Sequence, residues 1–89
     1  MIMKYINEKD IKPGDIILTH DGKFISHVND NLRIGCWITI HDNRFNNYAH
    51  DCTIRNPTKA SYSQIQHLKA CIKANKYVSP PKEINYEIY

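Results

Sequence analysis

An Asp-Gly dipeptide at positions 21 and 22 is the feature that most constrains how this chain folds. It separates two apolar runs, from Ile16 to His20 and from Lys23 to Val28. Asp-Gly between such runs predicts a β-hairpin, because a tight hairpin turn needs positive φ at its two central residues. A two-residue loop pairs Ile16 with His27, Ile17 with Ser26, Leu18 with Ile25 and Thr19 with Phe24. Apolar side chains then point to both sides, so we expect both faces of the hairpin to be covered.

Further strand signals follow the hairpin. The run from Ile34 to His41 alternates, which predicts a third strand with every second residue from Ile34 to Ile40 on one face. We expect a polar loop over 42–47 and a short fourth strand from Tyr48 to Ile54. Alternation from Ile84 to Ile88 predicts an edge strand at the end of the chain.

One helix is predicted in the C-terminal half. Ser61 and Gln64 match a capping box, in which each side chain bonds the other residue's backbone N–H, and Thr58 is an alternative N-cap. From there to Asn75 the apolar residues recur at helical spacing. The expected core-facing residues are Ile65, Leu68 and Ile72, with Tyr62 at the edge of the same face.

These elements predict an α+β fold, in which a small antiparallel sheet or partial barrel of four or five strands packs against one helix of the C-terminal half. The chain has 89 residues, which is the length of one domain, so we expect a single domain over 1–89.

Composition narrows the classes of function. No apolar run is long enough to span a membrane, and segment 1–10 carries charges where a signal peptide is apolar. We therefore expect a cytoplasmic protein without a membrane partner. Three widely spaced cysteines indicate free thiols in a reducing compartment. The net charge of +3 is smaller than that of a typical nucleic-acid-binding domain.

Residue usage bears on the source of the chain. Isoleucine far outnumbers leucine, and lysine far outnumbers arginine. Isoleucine and leucine have similar volumes and transfer energies, so packing does not demand this preference. AT-rich codons account for it, and we interpret the usage as that of a low-GC bacterium or one of its phages.

Three histidines are each followed by aspartate, in His20-Asp21, His41-Asp42 and His50-Asp51. Imidazole and carboxylate together suit zinc or a harder divalent ion. The spacing between the pairs matches no compact ligand pattern, and aspartate is common at turns. The three glycines lie far apart, so there is no glycine-rich phosphate loop. We therefore predict neither a metal site nor a cofactor.

One stretch carries a pattern seen in thiol hydrolases. A Lys12-Pro13-Gly14-Asp15 turn leads into a strand, Ser26-His27-Val28 lies on the next strand, and Thr39-Ile40-His41 on the one after. This order, over residues 12–41, resembles the opening of permuted papain-like hydrolases and acyltransferases of the NlpC and lecithin-retinol-acyltransferase types.

The resemblance implies that His27 is the general base, His41 its orienting residue and Cys52 the nucleophile. In that family the nucleophilic cysteine begins a helix, whereas Cys52 precedes the predicted helix and Cys71 lies inside it. A helix N-terminus would lower the pKa of neither thiol. The alternative is that His27 lies at the edge of the core and the cysteines are small buried hydrophobic residues.

A basic stripe is predicted on the helix. Lysine and glutamine recur there at i, i+7 and i+14, which places them on one side. The predicted stripe consists of Lys59, Gln66 and Lys73, followed by Lys76. Such a stripe could contact phosphates, while Trp37 or Tyr48 could stack on bases if they lie on the same side. The alternative is a solvated helix surface.

The loop from Arg44 to Tyr48 is a second candidate surface. Arg44, Phe45 and Tyr48 are residue types that anchor protein interfaces, although Phe45 and Tyr48 would also suit the core. The tail from Tyr86 to Tyr89, as an edge strand, would allow pairing with a partner's strand or a homodimer.

Together these features predict a small non-enzymatic binding protein. We expect an accessory protein of a phage or mobile element that occupies a surface on a host protein or protein–nucleic-acid complex, for example as an inhibitor of a defence or nuclease complex. A minimal thiol hydrolase and a module with direct nucleic-acid contact are the alternatives. The expected binding residues are Trp37, Arg44, Phe45, Tyr48, Lys59, Gln66, Lys73 and Lys76.

Overall fold

Residues 4–47 and 52–81 are described by the computed structural model of this protein. They form the α+β fold that the sequence predicts, with five antiparallel strands and one helix packed on a face of the sheet. Within these residues, no helix has the length and apolar character needed to cross a membrane. The elements are β1 (Ile16–Thr19), β2 (Phe24–Val28), β3 (Ile34–Thr39), β4 (Arg44–Asn46), β5 (Thr58–Lys59) and α1 (Tyr62–Ala74), and the strand order is β4-β3-β2-β1-β5.

The β1–β2 hairpin has the predicted register along its whole length. Asp21 and Gly22 both have positive φ, at 56° and 86°, as a tight hairpin turn requires. His20 also has a positive φ of 54°, and its N–H donates to the Arg55 carbonyl at 2.7 Å. β1 therefore ends at Thr19, one residue earlier than predicted.

Helix α1 covers one face of the sheet, which we call the helix face. There Ile25, Cys36 and Ile38 pack against Leu68 and Cys71 of the helix. These five residues are all buried, and they form the larger of the two apolar clusters of the protein's described part. Burial of large aliphatic side chains on this scale is the main contribution that holds the helix on the sheet.

The opposite side of the sheet, which we call the far face, is covered at one end. Ile17 and Val28 pack there with Ile11, and Ile6 and Ile54 pack against the cluster. These partners come from the segment before β1 and the segment before β5. Both faces of the hairpin are thus covered, as its two-sided apolar pattern predicts.

A bulge interrupts the pairing of β2 with β3. Between Ser26 and Val28 the register shifts by one residue, and Gly35 lies on the opposite strand at this point. A Cβ on Gly35 would lie 3.3 Å from Asn29 Cβ and 3.4 Å from His27 Nδ1. The close approach explains why glycine occupies the bulge.

Helix α1 begins with the predicted capping box. The Gln64 N–H donates to Ser61 Oγ at 3.1 Å, and the Ser61 N–H donates to Gln64 Oε1 at 2.8 Å. The helix ends at Ala74, after which Asn75 adopts a left-handed conformation that asparagine tolerates, with φ 56°. The alternative cap, Thr58, lies in β5 instead.

The buried face of α1 is rotated from the predicted one. Leu68 is buried as predicted, but the prediction for Ile72 is wrong, because this residue is 38% exposed. His67 and Cys71 are buried instead. His67 Nε2 lies 2.8 Å from the Val78 carbonyl oxygen, and this hydrogen bond allows an imidazole to pack inside.

The predicted polar loop over 42–47 is wrong in part, because it contains β4. This strand pairs with β3, so that Phe45 lies opposite Ile38 and Arg44 lies opposite Thr39. The third strand ends at Thr39, and the residues that follow it form the turn into β4. The polar composition hid this strand, since only one of its residues faces the core.

Two other predicted strands fall wholly or partly outside the described residues. Of the strand predicted from Tyr48 to Ile54, residues 48–51 lie outside them, and Cys52 forms an isolated bridge with Ile34. The last strand, predicted over 84–88, also lies outside them.

Candidate binding face

Three aromatic rings lie next to one another on the far face of the sheet. The ring centroids of His20 and Phe24 are 4.8 Å apart, and those of Phe24 and Trp37 are 6.3 Å apart. All three side chains are half-buried. We call them the aromatic row, which crosses the sheet from the end of β1 to β3.

Strand register places Arg44 beside this row. Trp37 lies opposite Asn46, and Arg44 lies opposite Thr39. Because alternate residues of a strand share a face, the side chains of Trp37 and Arg44 lie on the same face of the sheet. Phe24 lies opposite Thr39 from the other side, which confirms that this is the face of the aromatic row. Arg44 is exposed, and its guanidinium can therefore meet a partner that covers the rings.

Positive charge also lies at the His20 end of the row. Burial lowers the pKa of the His20 imidazole, and the charges of Arg55 and Lys23 lower it further against the opposing effect of Asp21. His20 Nδ1 is buried and has no hydrogen-bond partner among the described residues. The ring is thus neutral near pH 7 and serves as an aromatic surface next to two cations.

Asp21 fixes the turn that carries His20. The Tyr5 hydroxyl donates to Asp21 Oδ1 at 2.8 Å, and the Asn56 amide donates to Oδ2 at 3.0 Å. These two hydrogen bonds lower the pKa of the Asp21 carboxyl, and the bond to Asp21 raises the pKa of Tyr5. The turn is thereby tied to the chain segments before β1 and before β5.

The predicted interface residues lie on both sides of the sheet. Trp37 and Arg44 lie together on the far face, whereas Phe45 faces the helix and packs against the core. Tyr48 lies outside the described residues. Of these four predicted residues, Trp37 and Arg44 therefore share the far face, Phe45 belongs to the core, and Tyr48 is not described.

The predicted basic stripe does not form as one helix surface. Lys59 lies in β5, before the helix begins at Tyr62. Gln66 is half-buried on α1, Lys73 is exposed in its last turn, and Lys76 follows its C-cap. The stripe prediction was wrong because it extended helical periodicity through a strand.

The residues that the thiol-hydrolase resemblance implies lie apart. The Ile34 N–H donates to the Cys52 carbonyl at 2.9 Å, which places Cys52 at one end of β3. His27 lies on β2, on the other side of β3, about two strand spacings or roughly 10 Å away. His41 lies beyond the other end of β3, roughly 15 Å or more along the strand.

The other two cysteines belong to the core. Burial raises the pKa of the Cys36 thiol and of the Cys71 thiol. The Val78 N–H donates to Cys71 Sγ at 3.4 Å, so this sulfur also takes part in a structural contact. A nucleophilic cysteine needs a lowered pKa and access to substrate, and these two thiols have neither.

The His-Asp pairs do not gather into a metal site in the part of the chain that is described. Among residues 4–47 and 52–81, no group of three or more His, Cys, Asp or Glu side chains could hold a metal ion. The pair at positions 50 and 51 lies outside these residues.

Sequence reasoning missed Phe24 as a binding residue, and it considered His20 only as part of a His-Asp pair for a metal ion. The hairpin register already places Phe24 opposite Thr19, on the face that does not hold Leu18 and Ile25. The missing information was the pairing of β2 with β3 across the bulge, which brings Trp37 beside Phe24. The hairpin register alone was therefore enough to identify Phe24 as an aromatic residue on that face.

Comparison of the chain with protein-family models, curated proteins and solved structures gave no match. Function is therefore inferred from the aromatic row and its surroundings.

Proposed function

We propose that this protein is a non-enzymatic binding protein that occupies a surface on another macromolecule through the aromatic row and Arg44. The supporting observation is a row of three half-buried rings with cationic side chains at both ends, on the face that α1 does not cover. Aromatic residues and arginine contribute most of the binding energy in protein interfaces.

The partner that we propose is a host protein or a protein–nucleic-acid complex. The AT-rich residue usage and the short chain support an accessory protein of a phage or mobile element, for example an inhibitor of a defence or nuclease complex. The net charge of +3 and the cations beside the row favour a partner with an acidic patch over mimicry of DNA.

A pair of charge reversals tests which surface binds. Each of three tagged baits, the wild-type protein, Arg44→Glu and Lys73→Glu, is incubated with lysate of the native host, with and without nuclease. Mass spectrometry then quantifies the captured partners. Both residues are exposed, so neither change should disturb the fold. We expect a nuclease-resistant partner whose capture falls by about tenfold with Arg44→Glu, a loss of roughly 1.4 kcal/mol.

The matched control is Lys73→Glu, which makes the same charge change on the helix. We expect it to leave capture unchanged. If only Lys73→Glu lost capture, the binding surface would lie on the helix and not on the aromatic row. The absence of any stoichiometric partner would also contradict the proposal.

Direct contact with single-stranded nucleic acid is the second candidate function. Bases stack on aromatic rings and phosphates attract nearby cations, so the aromatic row with Arg44, Arg55 and Lys23 favours it. Trp37 is the single tryptophan of the chain, so its fluorescence reports on the site. We expect an oligonucleotide to quench this fluorescence at low salt and lose affinity as salt rises; an unchanged spectrum at low salt eliminates this candidate.

A further inference from the structure

The Asp21-Gly22 turn places a carboxyl next to an unshielded backbone nitrogen. Asp21 is exposed. A Cβ added to Gly22 would have no atom within 4 Å apart from its chain neighbours, so the space around this residue is open. Glycine also has no side chain of its own to shield the nitrogen. The Gly22 nitrogen can therefore attack the Asp21 Cγ, which is the first step of aspartate isomerisation.

Isomerisation of this dipeptide takes two steps. In the first, a bond forms between the Gly22 nitrogen and the Asp21 Cγ. One carboxyl oxygen leaves as water, with the proton of the Gly22 N–H and a proton from solvent. In the second, water opens the five-membered imide. Attack at the main-chain carbonyl of Asp21 breaks its bond to the Gly22 nitrogen and yields isoaspartate, whereas attack at Cγ restores aspartate. Neither step needs an oxidant or a reductant.

Two hydrogen bonds oppose the first step. The Tyr5 hydroxyl donates to Asp21 Oδ1 at 2.8 Å, and the Asn56 amide donates to Oδ2 at 3.0 Å. Whichever oxygen leaves must gain two protons, so the hydrogen bond that it accepts must break. The same bonds lower the pKa of Asp21, and a carboxylate accepts a nucleophile less readily than the neutral acid does. Both donors come from outside the hairpin, so this protection depends on the fold.

We propose that Asp21 is a modification site at which the backbone isomerises, and that the hydrogen bonds from Tyr5 and Asn56 control the rate. Isoaspartate lengthens the backbone of the turn by one methylene group. A two-residue turn with positive φ at both residues does not accommodate this extra atom. His20 directly precedes the turn, so isomerisation would displace it from the aromatic row. This effect on partner binding rests on the proposed function.

Rates of isomerisation in the full chain test the proposal. Wild type, Tyr5→Phe, Asn56→Gly and wild type unfolded in guanidinium chloride are incubated at physiological temperature and pH. Electron-transfer dissociation then distinguishes isoaspartate from aspartate at position 21, since the two have the same mass. Glycine suits position 56, where Asn56 has φ 45°. We expect folded wild type to react about a hundredfold more slowly than the unfolded chain, and each variant to lose about tenfold of this protection.

Tyr77→Phe is the matched control. It removes a tyrosine hydroxyl that donates to Asn43 Oδ1 at 3.3 Å, in the neighbouring turn, and leaves the bonds to Asp21 intact. We expect the wild-type rate at Asp21. Urea unfolding of each protein gives its unfolded fraction, and this fraction multiplied by the rate of the unfolded chain is the rate expected from global unfolding alone. The rates of Tyr5→Phe and Asn56→Gly should exceed that product.

Three results would overturn the proposal. Folded wild type could react as fast as the unfolded chain, Tyr5→Phe and Asn56→Gly could both react at the wild-type rate, or their rates could equal the product for global unfolding. None of these measurements needs a partner, so they stand if the proposed function fails.

The isoaspartate form, separated by chromatography, tests the effect on the aromatic row. As a tagged bait it should capture about tenfold less partner than the aspartate form, which corresponds to roughly 1.4 kcal/mol. Equal capture by the two forms would contradict this effect, whereas no capture by either form would contradict the proposed function and leave the measured rates valid.

Discussion

On the helix face the fully buried side chains are apolar or thiol groups, as with Leu68 and Cys71, whereas the far face also buries hydroxyls. Thr19 and Ser26 are both fully buried there, and their hydroxyl oxygens lie 2.7 Å apart. Apolar burial needs no exact partner, but a buried hydroxyl depends on its hydrogen bond. The helix face thus stabilises the fold through buried apolar surface. The far face buries less apolar surface, because a hydroxyl pair and partly exposed rings occupy part of it.

The largest effect that tests this comparison is expected on the helix face. Leu68→Ala removes a fully buried side chain from the contact between α1 and the sheet. We expect the free energy of unfolding to fall by about 3 kcal/mol, through lost transfer energy and a residual cavity. Urea unfolding followed by circular dichroism measures it.

Ile72→Ala is the matched control for Leu68→Ala. Ile72 is 38% exposed, so we expect a loss of roughly 1 kcal/mol or less. Equal losses for the two variants would contradict the rotated helix face that the structure shows.

A smaller effect is expected at the hydroxyl pair of the far face. Thr19→Val and Ser26→Ala each remove one hydroxyl and leave the other without this partner, which costs about 1–2 kcal/mol. The double variant removes both groups, so its loss should be smaller than the sum of the single losses. Urea unfolding of the four proteins gives the coupling energy, and additive losses would show that the two hydroxyls act independently.

Local chemistry explains which parts of the fold were predictable from sequence. The Asp21-Gly22 turn sets the hairpin register within a few residues, and Ser61 with Gln64 sets the start of the helix. The rotation of the helix was not predictable in this way. Hydrophobic periodicity favours Ile72 over His67, but the Val78 carbonyl, which bonds His67, comes from a segment beyond the helix.

The candidate site was predictable only in part, for a related reason. Trp37 and Arg44 were identified by residue type, but their shared face depends on β4, which the polar sequence around it concealed. Phe24 joins them through the pairing of β2 with β3, whose register shifts at the Gly35 bulge. Residue type therefore predicts candidates, while strand pairing decides which of them lie together.

The smallest effect is expected at Asp21, which ties the far face to its flanking segments. Its pKa is held below the ordinary 3.8 by hydrogen bonds from Tyr5 and Asn56. A carboxyl with a depressed folded pKa adds stability that is fully present above its unfolded pKa and is lost as pH falls through the folded value. We therefore expect the stability difference between wild type and Asp21→Asn to shrink as pH falls below about 3.8.

Tyr5→Phe tests how much the hydrogen bond from the Tyr5 hydroxyl lowers the pKa of the Asp21 carboxyl, apart from the Asn56 bond and the nearby charges. Removing the Tyr5 hydroxyl takes away the largest cause of the depressed pKa, so the Asp21 pKa should rise towards 3.8. Nuclear magnetic resonance titration of the Asp21 carboxyl carbon, in wild type and in Tyr5→Phe, measures this shift directly. An unchanged Asp21 pKa in Tyr5→Phe would show that the N-terminal segment does not hold the turn. The bond from Asn56 to Asp21 and the bond from the His20 N–H to the Arg55 carbonyl would then position His20 without Tyr5.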